Sequence, residues 1–225
     1  MKIGLIVAMQ SEFDLVVKIM EQPKIENIGK LTFSSGIIDD KQIVLMKSGI
    51  GKVNAAITCV EMIKKFSPDY IINTGLAGGV DKDISVMDIV LGQDVVYHDV
   101  WCGEGNNYGQ VQGLPCFYRA DDELLKKAQQ ISSDVKILSG LIATGDKFID
   151  DIKQLNDIKE KFPQGMAVDM ESAAIAQTCY LYNIPFLAIR IISDTPGVEN
   201  HYQQYSDFWG KAPEKSLEII KQLII

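Results

Sequence analysis

Ile184-Pro185-Phe186-Leu187-Ala188-Ile189-Arg190-Ile191-Ile192-Ser193-Asp194 contains the most apolar strand-like run of the chain, interrupted only by Arg190. A strand without polar alternation is one covered on both faces, the pattern of parallel sheets in α/β proteins. Working outward, Ile3-Gly4-Leu5-Ile6-Val7-Ala8-Met9 reads the same way, and residues 70–73, 88–97 and 135–143 add further strands. Helical spacing lies between them. Phe13, Val16, Val17 and Met20 share a face after the first strand. Gly49-Ile50-Gly51 opens a helix with Val53, Ile57, Val60 and Ile63 as its stripe, stopped before Pro68. Further helices are expected over 121–131, with Asp121 as N-cap, and over 150–162, 170–182 and 217–225. Residues 31–38 and 42–47, joined by Asp39-Asp40-Lys41, read as a hairpin, which makes the sheet mixed. Strands alternating with helices define the α/β class. With no Ser/Pro-rich linker, low-complexity tract or internal repeat, residues 1–225 are expected to form a single domain.

Composition narrows the function. The 225 residues are 47% hydrophobic and 23% charged, the balance of a core-forming chain. Folded chains near this size bury about 70–75% of their unfolded surface, so no disulfide or metal staple is needed. The net charge of −8 argues against nucleic acid or an anionic membrane as partner, because counterion release needs Lys and Arg clusters. Cys59, Cys102, Cys116 and Cys179 form no C-x-x-C pair and only two histidines occur, which argues against a zinc site. They are expected as free buried thiols of a reducing cytoplasm. The N-terminal apolar run ends at Gln10-Ser11-Glu12 without a small-residue cleavage site, so it reads as a buried strand rather than a signal peptide. No run approaches the ~20 apolar residues of a membrane span. The expectation is a cytoplasmic protein.

Ligands of open α/β sheets lie beyond the carboxyl ends of the strands. That rule selects Glu12, the segment Gly75-Leu76-Ala77-Gly78-Gly79, Phe148 with Ile149, and Asp194. The glycine-rich segment reads as a loop, either presenting backbone N–H groups to a ligand or making a tight turn. It is neither G-x-G-x-x-G nor G-x-x-x-x-G-K-[ST], which excludes a nucleoside-triphosphate loop. Taken singly, Glu12 reads as a solvated first-turn acid and Asp194 as a helix cap. Asp169 and Glu171 read as helix N-terminal acids, worth about 0.3–1 kcal/mol each. Arg190 resists such a reading, since a buried guanidinium needs a carboxylate or ligand oxygen beside it. Together, three acids and one arginine on one rim suit a neutral polar ligand. His98 reads as a hydrogen-bonded residue at a strand end, and His201 as exposed.

The segments 2–9 with Glu12, Lys47-Ser48-Gly49-Ile50-Gly51-Lys52-Val53, 71–79, Gly145-Asp146-Lys147-Phe148-Ile149, Val168-Asp169-Met170-Glu171 and Arg190-Ile191-Ile192-Ser193-Asp194 together resemble the bacterial 5′-methylthioadenosine/S-adenosylhomocysteine nucleosidases. These motifs are colinear over nearly the whole chain. The resemblance implies a nucleoside phosphorylase-like fold, a mixed sheet partly closed into a barrel and flanked by helices. It implies a homodimer without cofactor or metal that hydrolyses the N-glycosidic bond of a small-molecule nucleoside. On the same resemblance Asp194 is the general acid toward adenine N7, oriented by Ser193. Glu12 positions the attacking water with help from Arg190, and Glu171 binds ribose hydroxyls. Phe148 stacks on adenine, the Ile149 backbone reads the base edge, and Met170 packs under the ribose. Gly78 contributes to substrate binding, and Met9, Ile50 and Tyr205 line the ribose and 5′-thio side.

Three departures from the family pattern stand out. Leu76 replaces a common serine, Asp169 replaces a more usual glutamate, and residues 101–107 lack the aromatic pattern that covers the 5′ tail in some members. Trp101 is a candidate replacement there, and activity on both methylthioadenosine and S-adenosylhomocysteine is expected. The nearest rival is a phosphorylase. Its G-D-P-x-R loop is replaced here by Gln10-Ser11-Glu12-Phe13, and Val80-Asp81-Lys82-Asp83 holds no arginine. A carboxylate at the first position repels phosphate and suits water. Hydrolysis of another 6-aminopurine nucleoside, such as aminodeoxyfutalosine, is a further alternative. A catalytically silent nucleoside-binding module is disfavoured by the intact Glu12, Glu171 and Asp194.

Overall fold

The computed structural model describes residues 1–196, 208 and 212–224. Its strands are β1 (Lys2–Val7), β2 (Glu21–Ile28), β3 (Leu31–Ile38), β4 (Lys41–Lys47), β5 (Tyr70–Gly79), β6 (Ile89–Tyr97), β7 (Tyr118–Arg119), β8 (Ile137–Thr144), β9 (Gly165–Asp169) and β10 (Phe186–Asp194). Helices α1 (Gln10–Ile19), α2 (Lys52–Phe66), α3 (Asp122–Gln129), α4 (Ile152–Lys161), α5 (Ser172–Tyr182) and α6 (Ala212–Ile224) flank them. Every residue of β10 is buried, as its unbroken apolar sequence requires. The hairpin forms as read. Asp39 and Asp40 take φ of 45° and 62°, the positive pair that a two-residue turn matching strand twist demands. Asp121 caps α3, its Oδ1 accepting from the N–H groups of Glu123 and Leu124 at 3.0 Å each. Such a cap contributes about 1 kcal/mol. Among the described residues no helix is long and apolar enough to cross a membrane.

The topology explains where a cleft can open. Strands β5, β10, β6, β8 and β9 pair in a closed circuit, and β1, β4, β3 and β2 extend from β5 as an open wing. The long strand β5 serves both parts. One edge pairs with β10 in parallel along residues 71–78. The other pairs with β1 from Tyr70 to Asn73 and with β9 at Gly78 and Gly79. Strand β1 runs parallel to β5 and β9 antiparallel to it, so their carboxyl ends point at each other along that edge. Residues 74–77 of β5 lie between the two ends, paired with β10 on one edge and covered by neither β1 nor β9 on the other.

Several local expectations change. Residues 75–79 are not a loop but the second half of β5. Glycine suits the close packing there, since a Cβ on Gly79 would lie 3.0 Å from Ile192 Cγ2, and one on Gly78 3.0 Å from Pro196 Cγ. In α2 the buried face is Ala55, Thr58, Cys59, Met62 and Ile63, while Val53 and Ile57 of the expected stripe are 68% and 50% exposed. Small residues occupy the part of that face that packs on α5, where Cys59 Sγ lies 3.7 Å from Cys179 Sγ. Those two thiols are buried as expected, but Cys102 is exposed. Helix α5 starts at Ser172, leaving Met170 and Glu171 in the turn from β9. Strands β2, β7 and β9 were not expected.

Candidate active site

The carboxyl ends of β1 and β9 face a cleft. Met9, Glu12, Ile50 and Gly78 line it. So do Phe148, Ile149, Met170 and Glu171. Arg190, Ser193 and Asp194 complete the set expected from sequence, except Tyr205, which lies outside the described residues, as does His201. Chain segments far apart in sequence therefore converge as the strand-end rule requires. Trp101 does not line this cleft. It is exposed and stacks on Tyr108 at 6.3 Å between ring centroids, so it does not pack in the core either.

Arg190 is the largest fully buried side chain among the described residues, and the structure supplies the partners it needs. Its Nε donates to Asp169 Oδ2 at 2.7 Å. Nη1 donates to the carbonyls of Asn73 at 3.2 Å and Ile189 at 2.9 Å, and Nη2 to Asn73 Oδ1. Asp169 also accepts from Thr144 Oγ1 at 2.5 Å and from Ser172 Oγ. The shorter Asp169 side chain thus still reaches the arginine. Removing either partner of such a buried pair costs about 3–5 kcal/mol. Asn73, Thr144 and Ser172 were missed from sequence. Asn73, a polar residue closing the run Tyr70-Ile71-Ile72, carried a signal of the same kind as Arg190.

Glu12 is not a solvated acid but only 5% exposed. It lies in the first turn of α1, and its Oε2 accepts the Met9 N–H at 3.0 Å. Val16 and, from α6, Leu217 and Ile220 line a small void behind it. Burial raises the Glu12 carboxyl to about 7, against the opposing pull of the Met9 N–H and the Arg190 charge. Glu171 is buried as well, and its Oε1 accepts the Gly51 N–H at 2.8 Å. Burial, helped by the nearby Asp169 charge, raises it to about 7. A carboxylate near 7 can exchange protons at neutral pH. Asp194, the last residue of β10, is buried, and Ser193 Oγ donates to its Oδ1. Leu76 lines the cleft where a serine was the family expectation, so its wall is apolar at that point.

His98 is buried outside the cleft lining. Its backbone N–H donates to Thr144 O at 2.8 Å, as a strand-end residue should, but its Nε2 has no protein hydrogen-bond partner. Burial lowers its pKa. Among the described residues no cluster of three or more His, Cys, Asp or Glu side chains is arranged to hold a metal.

Comparison with known proteins agrees with this geometry. The profile of the Phosphorylase superfamily matches residues 2–225. The 5′-methylthioadenosine/S-adenosylhomocysteine nucleosidase of Bacillus pumilus (strain SAFR-032) is 40% identical over 228 residues, covering 100% of this chain and 98% of that one. The crystal structure of the nucleosidase of the same description from Neisseria meningitidis, in complex with methylthio-immucillin-A, matches with a TM-score of 0.95 at 35% identity, over 99% and 98% of the two chains. Futalosine hydrolase of Helicobacter pylori strain 26695 matches with a TM-score of 0.93 at 26% identity, over 99% and 97%. The chain belongs to the Phosphorylase superfamily and, within it, to the 5′-methylthioadenosine/S-adenosylhomocysteine nucleosidase family.

Proposed function

We propose that this protein hydrolyses the N-glycosidic bond of 5′-methylthioadenosine and S-adenosylhomocysteine, releasing adenine and methylthioribose or S-ribosylhomocysteine. The observation that carries the reading is one cleft holding buried Glu12, Glu171 and Asp194 beside an apolar wall. The 40% identity to a nucleosidase named for these two substrates supports the choice over the futalosine type, at 26%.

In this reading the C1′–N9 bond breaks while the sugar gains oxocarbenium character. Asp194, oriented by Ser193, donates a proton to N7 so that adenine leaves neutral. Glu12 removes a proton from the water that adds to C1′, and Arg190 fixes the geometry of that region. Glu171 holds the ribose hydroxyls, and its charge favours the cationic sugar. Phe148 stacks on the base, the Ile149 backbone and Gly78 meet its edge, and Met170 underlies the ribose. Met9 and Ile50 face the 5′-thio substituent, where methionine adapts well to a thioether.

Water is favoured over phosphate for a local reason. The guanidinium of Arg190 directs Nε, Nη1 and Nη2 at protein oxygens, so little of its donor capacity remains for an oxyanion. We further propose a cytoplasmic homodimer of single-domain subunits. Ile50, Val53 and Ile57 are 54%, 68% and 50% exposed beside the cleft mouth, an apolar face suited to a second copy. Sedimentation that stayed monomeric at micromolar concentration with full activity would refute the dimer. The test of function is adenine release, followed by ultraviolet absorbance, from methylthioadenosine, S-adenosylhomocysteine, adenosine and aminodeoxyfutalosine. The 5′-thio substrates are expected to give the highest specificity constants. A preference for aminodeoxyfutalosine would assign the chain to the other hydrolase.

A further inference from the structure

We propose that Asp146 is a positioning residue that locks the N-terminus of α2 to the segment bearing Phe148 and Ile149, holding the two sides of the cleft in register. This rests on the nucleosidase reading and adds a residue that lines no part of the cleft.

The first N–H groups of a helix need acceptors from elsewhere. Helix α2 has Gly51 at its N-cap, with φ 96° and ψ 161°, and no side chain of its own to cap it. Two carboxylates from distant segments take that role. Gly51 N–H donates to Glu171 Oε1 at 2.8 Å, and the next N–H, of Lys52, donates to Asp146 Oδ1 at 2.7 Å. A negative charge at this helix end is also favoured by the macrodipole. A Cβ on Gly51 would lie 3.1 Å from Asp146 Oδ1, so glycine leaves the carboxylate room to close on the helix.

The ring closes through Lys52 and Asp99. Lys52 Nζ bonds both Asp99 oxygens, at 2.8 and 2.7 Å, and lies 3.7 Å from Asp146 Oδ2. Asp99 Oδ2 accepts the Asp146 N–H at 2.9 Å. Asp146 is thus held at its backbone and at its carboxylate, two residues before Phe148. The network spans Asp99 after β6, Asp146 after β8 and the start of α2. Its geometric product is a fixed Gly51 N–H, which holds Oε1 of Glu171 in place.

Freeing the 145–149 segment should weaken binding of the base alone, an effect that lost stability by itself would not produce. The experiment measures adenine affinity by calorimetry, KM and kcat for methylthioadenosine, and melting temperature, all on the full chain. Asp146→Ala is expected to raise the adenine Kd and the KM about tenfold, an effect on the scale of a lost cap, with a smaller change in kcat. Asp146→Asn keeps an acceptor for the Lys52 N–H and should restore both constants to within about threefold of wild type. Unchanged affinities in Asp146→Ala, with or without a lower melting temperature, would overturn the proposal. So would an Asn variant as impaired as Ala, because the effect would then be one of charge rather than position. If Asp146→Ala does not fold, Asp99→Ala, which removes the acceptor of the Asp146 N–H, decides: a smaller rise in the adenine Kd is expected, and no rise overturns the role. A wild-type protein without affinity for adenine would overturn the nucleosidase reading itself, whereas wild-type affinity that Asp146→Ala leaves intact overturns only the role of Asp146.

Discussion

Gly75 stands opposite Arg190 in the β5–β10 ladder, and a Cβ on it would lie 3.7 Å from Arg190 Nη1 and 3.4 Å from Glu12 Oε1. The missing side chain keeps a space open between a buried carboxylate and a buried arginine, at the stretch of β5 that neither β1 nor β9 covers. Gly75→Ala fits the backbone and should fold with a near wild-type melting temperature. In the proposed reaction it would crowd the water beside Glu12, and a displacement on the order of 1 Å can cost about 10²-fold in rate. Steady-state kinetics should therefore show a large fall in kcat. Wild-type turnover in Gly75→Ala would place the water elsewhere.

Burial holds Glu12 and Glu171 near 7, well above the usual carboxylate range. As a base Glu12 works only when ionised, so kcat/KM should climb with pH through about 7. A folded-state pKa above the unfolded one gives stability that is complete below about 4.5 and is lost as pH rises through about 7. The melting temperature should thus fall between pH 5 and pH 8. Glu12→Gln stays neutral and should be more stable than wild type at pH 8, with little difference at pH 4.5. Parallel melting curves for the two proteins would show that Glu12 does not carry this charge cost.

Asp194 is assigned to the leaving group rather than to the water. Asp194→Asn should reduce turnover of methylthioadenosine by about 10²–10⁴-fold, the range of general-acid help. It should matter much less for a nitrophenyl riboside, which departs without a proton on N7. Equal loss on both substrates would make the role of Asp194 structural.

Much of this site was legible in the sequence for one reason: a charged residue in a run that must be buried on both faces is conspicuous. Arg190 in β10 met that criterion, and its partners were where such a residue needs them. Glu12 was legible only in position, because its surroundings are assembled from distant segments, among them Thr74 of β5 and, some two hundred residues away, Leu217 and Ile220 of α6. The glycines of β5 misled, since glycine ordinarily weakens strands, and here it suits the close packing of Ile192 and Pro196. Strand β2 was hidden by its composition: its Glu-Gln-Pro-Lys-Ile-Glu-Asn-Ile sequence lies almost wholly exposed at the sheet edge, where no apolar face is demanded. Val53 and Ile57 of the α2 stripe point outward because the helix turns Ala55, Thr58, Cys59 and Met62 inward, with Cys59 against Cys179 of α5.

The central claim is that water, activated at Glu12, takes the sugar from adenine. Its most direct test is methylthioadenosine cleaved in ¹⁸O-labelled water, with and without inorganic phosphate, followed by mass spectrometry of the sugar. Hydrolysis predicts one ¹⁸O at C1 of methylthioribose, the same rate with or without phosphate, and almost no product from Glu12→Gln. A methylthioribose 1-phosphate formed only when phosphate is present, or undiminished release by Glu12→Gln, would contradict it.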